Sequence, residues 1–225
     1  MTQVPLLNTQ INNPNGFPNT WCLQVYNRPQ HSAMARGEYE SQKSLAQHLP
    51  ENTAAPLAWD NFELDPTRSF FLTAYRNLRE NTPDPAQLIE ILAKFHTSSA
   101  SLTGKFGFHV TTFNGHVPLV NDWTDSWEEW YNRQFRSDIE WEQRVRGIDP
   151  EFSEIADEFF QKVIPRLLRP LQSGGRSIKP VLVHGDIWHG NAQIDMDSNR
   201  VILFDSCCCY AHNECKLVIK PVSKS

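Results

Sequence analysis

Apolar positions along the chain alternate between helical spacing and short strand-like clusters. "WCLQVY" (21–26) is a run of aromatic, apolar and β-branched residues and predicts a strand. "SAMARGEYESQKSLAQHL" (32–49) carries apolar or small residues at helical spacing and stops before Pro50, which predicts a helix. "APLAWDNFEL" (55–64) and "SFFLTAYRNL" (69–78) predict two further strands joined by a turn at "DPTR" (65–68). The first 77 or so residues therefore predict a helix packed on a small sheet.

After residue 83 the period lengthens. "DPAQLIEILAKFHTSSA" (84–100) places Leu88, Ile91, Leu92 and Phe95 on one helical face. Helices are also predicted over 125–145 and over 152–171, the latter broken at Pro165. "KPVLVHGD" (179–186) predicts a strand, and "NAQIDMDSNRVILFD" (191–205) a hairpin turning at "DMDSN" (195–199). The fold class read from this order is α+β. A small lobe over 1–77 is followed by a connector near 75–83 and a mostly helical lobe over 78–225 carrying the hairpin, with a cleft between the lobes.

Composition changes this picture little. The chain has 225 residues, 40% hydrophobic and 21% charged, ordinary values for a packed core. A net charge of −5 with no basic block argues against nucleic acid as a primary partner. No apolar run approaches about 20 residues, and the first sixteen residues lack the pattern of a secretory signal, so neither a membrane span nor export is expected. Three of the five cysteines are consecutive (Cys207, Cys208, Cys209), which fits neither a disulfide framework nor Cys-x-x-Cys zinc spacing. Reduced thiols in a cytoplasmic protein are the expectation.

Candidate chemistry gathers late in the chain, in "LVHGDIWHGNAQI" (182–194) and "VILFDS" (201–206). Asp186 follows a strand, Asn191 lies five positions on, and Asp205 ends a second strand. Such residues serve as turn punctuation. Two carboxylates and an amide oxygen are also hard ligands suited to Mg²⁺, which takes its remaining ligands from water and phosphate. In phosphoryl transfer one aspartate accepts the proton of the attacking hydroxyl while the other groups hold the metal. His184 is expected to be a scaffold residue hydrogen-bonded to this loop.

The stretch "VHGDIWHGN…VILFDSCCCYAHNE" resembles the fructosamine-3-kinase, or ketosamine kinase, family, whose catalytic segment reads HGD-[LI]-W-x-GN before a strand ending in FD. "GEYESQKSL", "TGKFGFHVTTFNG", "DSWEEWY" and "VIPRLLRPLQSGGRSIKPVLVHGD" resemble its fungal members, the protein-ribulosamine 3-kinases, and the likeness covers roughly 21–215. It implies a bilobal protein-kinase-like fold of the aminoglycoside-phosphotransferase branch. It also implies ATP and Mg²⁺ as cofactors, and glycated proteins or ketosamine small molecules as substrates. Asp186 would be the catalytic base, Asn191 and Asp205 the metal ligands, and Trp188 a face of the sugar site or simply core. Glu38, with Glu40 as a rival, would be the helix carboxylate that pairs with a nucleotide-binding lysine. The strand "FLTAY" (71–75), with Leu72 and Ala74, would meet adenine.

Two departures from the family pattern stand out. Where the family strand reads like FLKV, this chain reads "CLQVY", so uncharged Gln24 occupies the lysine position. Only "NNPNGFPNT" is available for the glycine-containing turn over the phosphates, and the chain stops soon after "YAHNE". The small lobe and the C-terminal end thus read as truncated. An active ketosamine kinase, a catalytically dead binding module and a kinase for another hydroxyl compound, such as choline or an aminoglycoside, all stay open.

Overall fold

The computed structural model describes residues 20–79 and 82–215. The stretch before Thr20, where a glycine-containing turn was expected, and the end from Lys216 lie outside the described residues.

Three strands, β1 (Trp21–Tyr26), β2 (Pro56–Phe62) and β3 (Asp65–Ala74), form an antiparallel sheet in the order β1-β3-β2. Helix α1 (His31–His48) packs on β2 and β3. The turn between β2 and β3 falls at Glu63–Leu64, earlier than the expected 65–68. Phe62 pairs directly with Asp65, its ring packs on Phe70 at 5.3 Å, and Arg68 lies over it. Those cross-strand contacts draw 65–68 into the ladder despite the Asp-Pro dipeptide.

The chain then enters β4 (Leu78–Arg79), which pairs with the late hairpin rather than with the first sheet. That hairpin, β8 (Ala192–Asp195) and β9 (Arg200–Leu203), makes a sheet in the order β4-β8-β9. Between them come α2 (Pro85–Ser98), the short pair β5 (Phe113–Asn114) and β6 (Val117–Pro118), α3 (Trp127–Arg146), α4 (Pro150–Glu158) and α5 (Ile164–Leu168). The strand β7 (Val181–Val183) pairs antiparallel with β10 (Cys209–Ala211).

The helix starts follow local chemistry. Asp84, Ser126 and Asp149 cap α2, α3 and α4 by accepting backbone N–H bonds, which satisfies donors a helix start leaves unpaired. Between α4 and α5 a π-helical turn runs over Phe159–Val163. Pro165 lacks an N–H, and its ring crowds the carbonyl of the preceding turn, so a widened turn absorbs the misfit.

The main core joins Leu88, Leu92 and Phe95 of α2, Trp127 and Trp130 of α3, Val181–Val183, and Val201 and Leu203 of β9. Leu45 and Leu49 at the far end of α1 belong to it too, whereas Ala35 near the start of α1 packs with Tyr26 and Phe71 in a separate small core. One helix thus ties the small sheet to the larger part. Among the described residues no helix is long and apolar enough to cross a membrane.

Candidate active site

Strand β7 delivers the chain into a tight passage. At Gly185 φ is +86°, and a Cβ there would lie 2.2 Å from the Cys207 carbonyl oxygen and 2.7 Å from its sulfur. Only glycine satisfies both the left-handed backbone and that close approach. The approach seats the loop carrying Asp186 against the segment carrying Asp205. His184, 2% exposed, joins them further: its Nε2–H donates to the Phe204 carbonyl at 3.1 Å, and its Nδ1 accepts the Asp186 N–H at 3.4 Å. Burial lowers its pKa to about 4, against the raising effect of the Phe204 bond, so the ring is neutral in that arrangement.

Asn191, at the entry to β8 and 3% exposed, binds the other groups together. Its Nδ2 donates to the Asp186 carbonyl at 3.0 Å, to Asp186 Oδ2 at 3.0 Å and to the Asp205 carbonyl at 3.4 Å. With the nitrogen spent on these acceptors, the amide oxygen is the end left for a cation. Asp205 holds a left-handed φ of 56°. It is open to solvent on one side while protein crowds it on the others; that burial, and then the nearby Asp186 charge, raise its pKa. Two neighbouring carboxylates that disfavour each other's charge, beside an amide oxygen, are a donor set that fits Mg²⁺ supplemented by phosphate oxygens. Among the described residues no three His, Cys, Asp or Glu side chains are grouped to hold a metal by themselves. Cys207, Cys208 and Cys209 are buried and outside any disulfide, and burial pushes the Cys208 pKa well up.

Gln24 on β1 and Glu38 on α1 meet: Gln24 Nε2 donates to Glu38 Oε2 at 3.1 Å, and the Tyr26 hydroxyl donates to the same oxygen. Burial pushes the Glu38 pKa up to about 8; the Asp205 charge adds to this, and the two hydrogen bonds oppose it. That coupling places Glu38 electrically within reach of Asp205. Glu40 instead faces His109 and Lys43. Tyr26 is the member of this group that the sequence reading passed over; its signal was alternation, because 24 and 26 share one face of β1.

Leu72 lies in the central strand, paired with Leu23 and Ala58. The Ala74 N–H donates to the Ala55 carbonyl at 2.8 Å, and the Tyr75 N–H to the Thr20 carbonyl at 3.2 Å, so both donors at this strand end are taken up within the protein. Trp188 is half-buried, with its ring edge-to-face on His189 at 4.7 Å. It also lies across Gly190, where a Cβ would stand 2.4 Å from Trp188 Cζ2. The structure thus brings Asp186, Asn191, Asp205 and His184 into one hydrogen-bonded group and Gln24 with Glu38 into a second beside it. The Trp188 backbone is tied to the first group, its carbonyl accepting the Asn191 N–H at 3.0 Å, while its ring packs on His189.

The sequence profile of the family described as Fructosamine kinase matches residues 19–224. Ketosamine-3-kinase of Mus musculus is 39% identical over 116 residues, 51% of this chain and 35% of that protein. A chloroplastic protein-ribulosamine 3-kinase of Oryza sativa subsp. indica is 33% identical over 159 residues, 71% of this chain and 44% of that protein. The chain thus spans less than half the length of these two curated relatives. A solved Haemophilus somnus 129PT protein assigned as a fructosamine-3-kinase superposes with a TM-score of 0.66 at 19% identity, covering 98% of this chain and 73% of that one.

Proposed function

The chain belongs to the fructosamine kinase family and has a protein-kinase-like fold, and on that footing we propose that it transfers the γ-phosphate of ATP to a ketosamine. The acceptor we assign is the sugar 3-hydroxyl of a ribulosamine or fructosamine on a glycated lysine, a step that leads to deglycation. The observation that carries the proposal is the Asn191 amide bridging Asp186 and Asp205.

In this reading Asp186 accepts the proton of the sugar hydroxyl at a carboxylate that the Asn191 Nδ2 holds in place. Asn191 Oδ1 and Asp205 would hold Mg²⁺, which when bound neutralises phosphate charge. Neutral His184 fixes the two backbone segments. Trp188 would offer an aromatic face to the sugar. The division into a nucleotide-binding part over 1–77 and a catalytic part over 78–225 is supported by the switch at Leu78 from the first sheet to the hairpin's sheet. Leu72 and Ala74 would meet adenine through side chains and carbonyls, since the Ala74 N–H is engaged. Five cysteines outside any disulfide support a reducing compartment, for which we propose the cytoplasm.

The test is ³¹P NMR of a ribulosyl-lysine peptide incubated with Mg-ATP. A phosphate ester coupled to the proton on sugar carbon 3 supports the proposal. Ester formation only on choline or an aminoglycoside, offered in parallel, would replace the substrate. A second reading, a binding module without turnover, is favoured by Gln24, because an uncharged amide cannot neutralise the α- and β-phosphates.

A further inference from the structure

Helix α1 meets the Asp205 segment through two buried polar side chains, Ser41 and Gln42, 0% and 1% exposed. Gln42 Nε2 donates to the Leu203 carbonyl at 3.2 Å and to the Ala54 carbonyl at 3.3 Å, while its Oε1 accepts from the Ser206 hydroxyl at 3.0 Å. Ser41 Oγ accepts the Cys208 N–H at 3.0 Å, and its carbonyl accepts the Cys208 thiol at 3.6 Å. From the opposite side the Cys207 N–H donates to the His184 carbonyl at 3.0 Å. The residues on both sides of Asp205 are therefore pinned, and Asp205 between them holds a backbone that a non-glycine residue enters only at a cost. Gln42 also stands four residues after Glu38, one turn further along the same helix face.

We propose that Ser41 and Gln42 are positioning residues that hold Asp205 in its left-handed conformation and fix α1 to the metal side of the site. The glutamine chemistry is specific. One amide end must donate to two carbonyls while the other accepts from a hydroxyl, which neither a carboxylate nor an aliphatic side chain can do. The clamp bears on the missing lysine. A lysine at position 24 would supply charge to the phosphates and also tether α1 through Glu38. Here Gln24 and Tyr26 still hold Glu38 by hydrogen bonds. Ser41 and Gln42 fix α1 to the Asp205 segment separately, so Gln24 removes phosphate charge without freeing the helix. The metal part of this inference rests on the kinase reading; the backbone part does not.

Hydrogen exchange in the ligand-free protein tests the backbone part, and electron paramagnetic resonance of Mn²⁺ added with ATP tests the metal part. Ser41→Ala, which removes one oxygen from a buried site, and Gln42→Met are expected to speed exchange across residues 205–208 about tenfold. Both should weaken Mn²⁺ uptake with ATP by a similar factor, and Gln24→Ala should leave the 205–208 exchange unchanged. Unchanged exchange in both clamp variants overturns the proposal, and so does equal acceleration in Gln24→Ala. No Mn²⁺ uptake by the wild-type protein with ATP overturns the kinase reading, and with it the role given to Asp205, whatever the exchange rates.

Discussion

Glu38 keeps its proton near neutral pH because burial and the Asp205 charge both oppose ionisation and outweigh its hydrogen bonds from Tyr26 and Gln24. A lysine at position 24 would reverse that balance by favouring the charged form. Gln24→Lys is expected to pull the Glu38 pKa down from about 8 and to raise ATP affinity, read by isothermal titration with Mg-ATP; unchanged affinity would show that charge at position 24 is not what limits binding. The sign for stability follows from the same residue. Its folded pKa of about 8 lies above the ordinary 4.5, so the folded state binds the extra proton and this contribution is lost as pH rises through that window. Glu38→Gln should therefore gain stability relative to wild type between pH 5 and pH 8 in urea melts, and a constant difference would contradict the shift. His184 has the opposite sign. Its folded pKa of about 4 lies below 6.5, so stability is lost as pH falls across that interval, by roughly 3 kcal/mol in full. The sequence made Asp186, Asn191 and Asp205 legible because their spacing is the motif. It could not reveal that Asn191 bridges the other two through its nitrogen, because a side chain's hydrogen-bond direction depends on backbone placed by tertiary contacts.

At the level of elements, close backbone approach decides more than propensity. A Cβ at Gly37 would stand 2.5 Å from the Thr111 carbonyl oxygen, so Gly37→Ala should cost about 1–3 kcal/mol in chemical denaturation despite alanine's better helix propensity. Gly185→Ala should cost more, because it meets backbone at 2.2 Å and also needs a positive φ; a loss below about 1 kcal/mol would contradict this close seating. Helices α1 to α3 were legible from apolar spacing, and the break at Pro165 from proline's missing N–H. The turn after β2 was misplaced because Asp-Pro is a turn signal that the Phe62–Phe70 and Arg68–Phe62 contacts override. The strand at 179–186 was read and is β7, whereas β5, β6 and β10 went unread, since strands of two or three residues carry no period.

Across the whole molecule the helix α1 and the connector after β3 tie the first sheet to the late hairpin from two directions. Gln42 and Asn52 donate to the Leu203 and Val201 carbonyls of β9. On the other side Asn77 accepts the Met196 N–H, and Arg76 faces the buried Asp195 at 3.7 Å. These links join positions far apart in sequence, and no local pattern announces them. They let the order of elements and the motif suggest the fold while concealing how firmly its two parts are joined. The central claim is that this joined site moves phosphate, with Asp186 as the base. The most direct measurement is the mass of a ribulosyl-lysine peptide after a single turnover with Mg-ATP, run with wild type and with Asp186→Asn. The expected result is one added phosphate with wild type and a rate lower by about 10²–10⁴-fold in the variant. Phosphate transfer at equal rates by both proteins, or none by a folded wild type that binds Mg-ATP, would contradict the account.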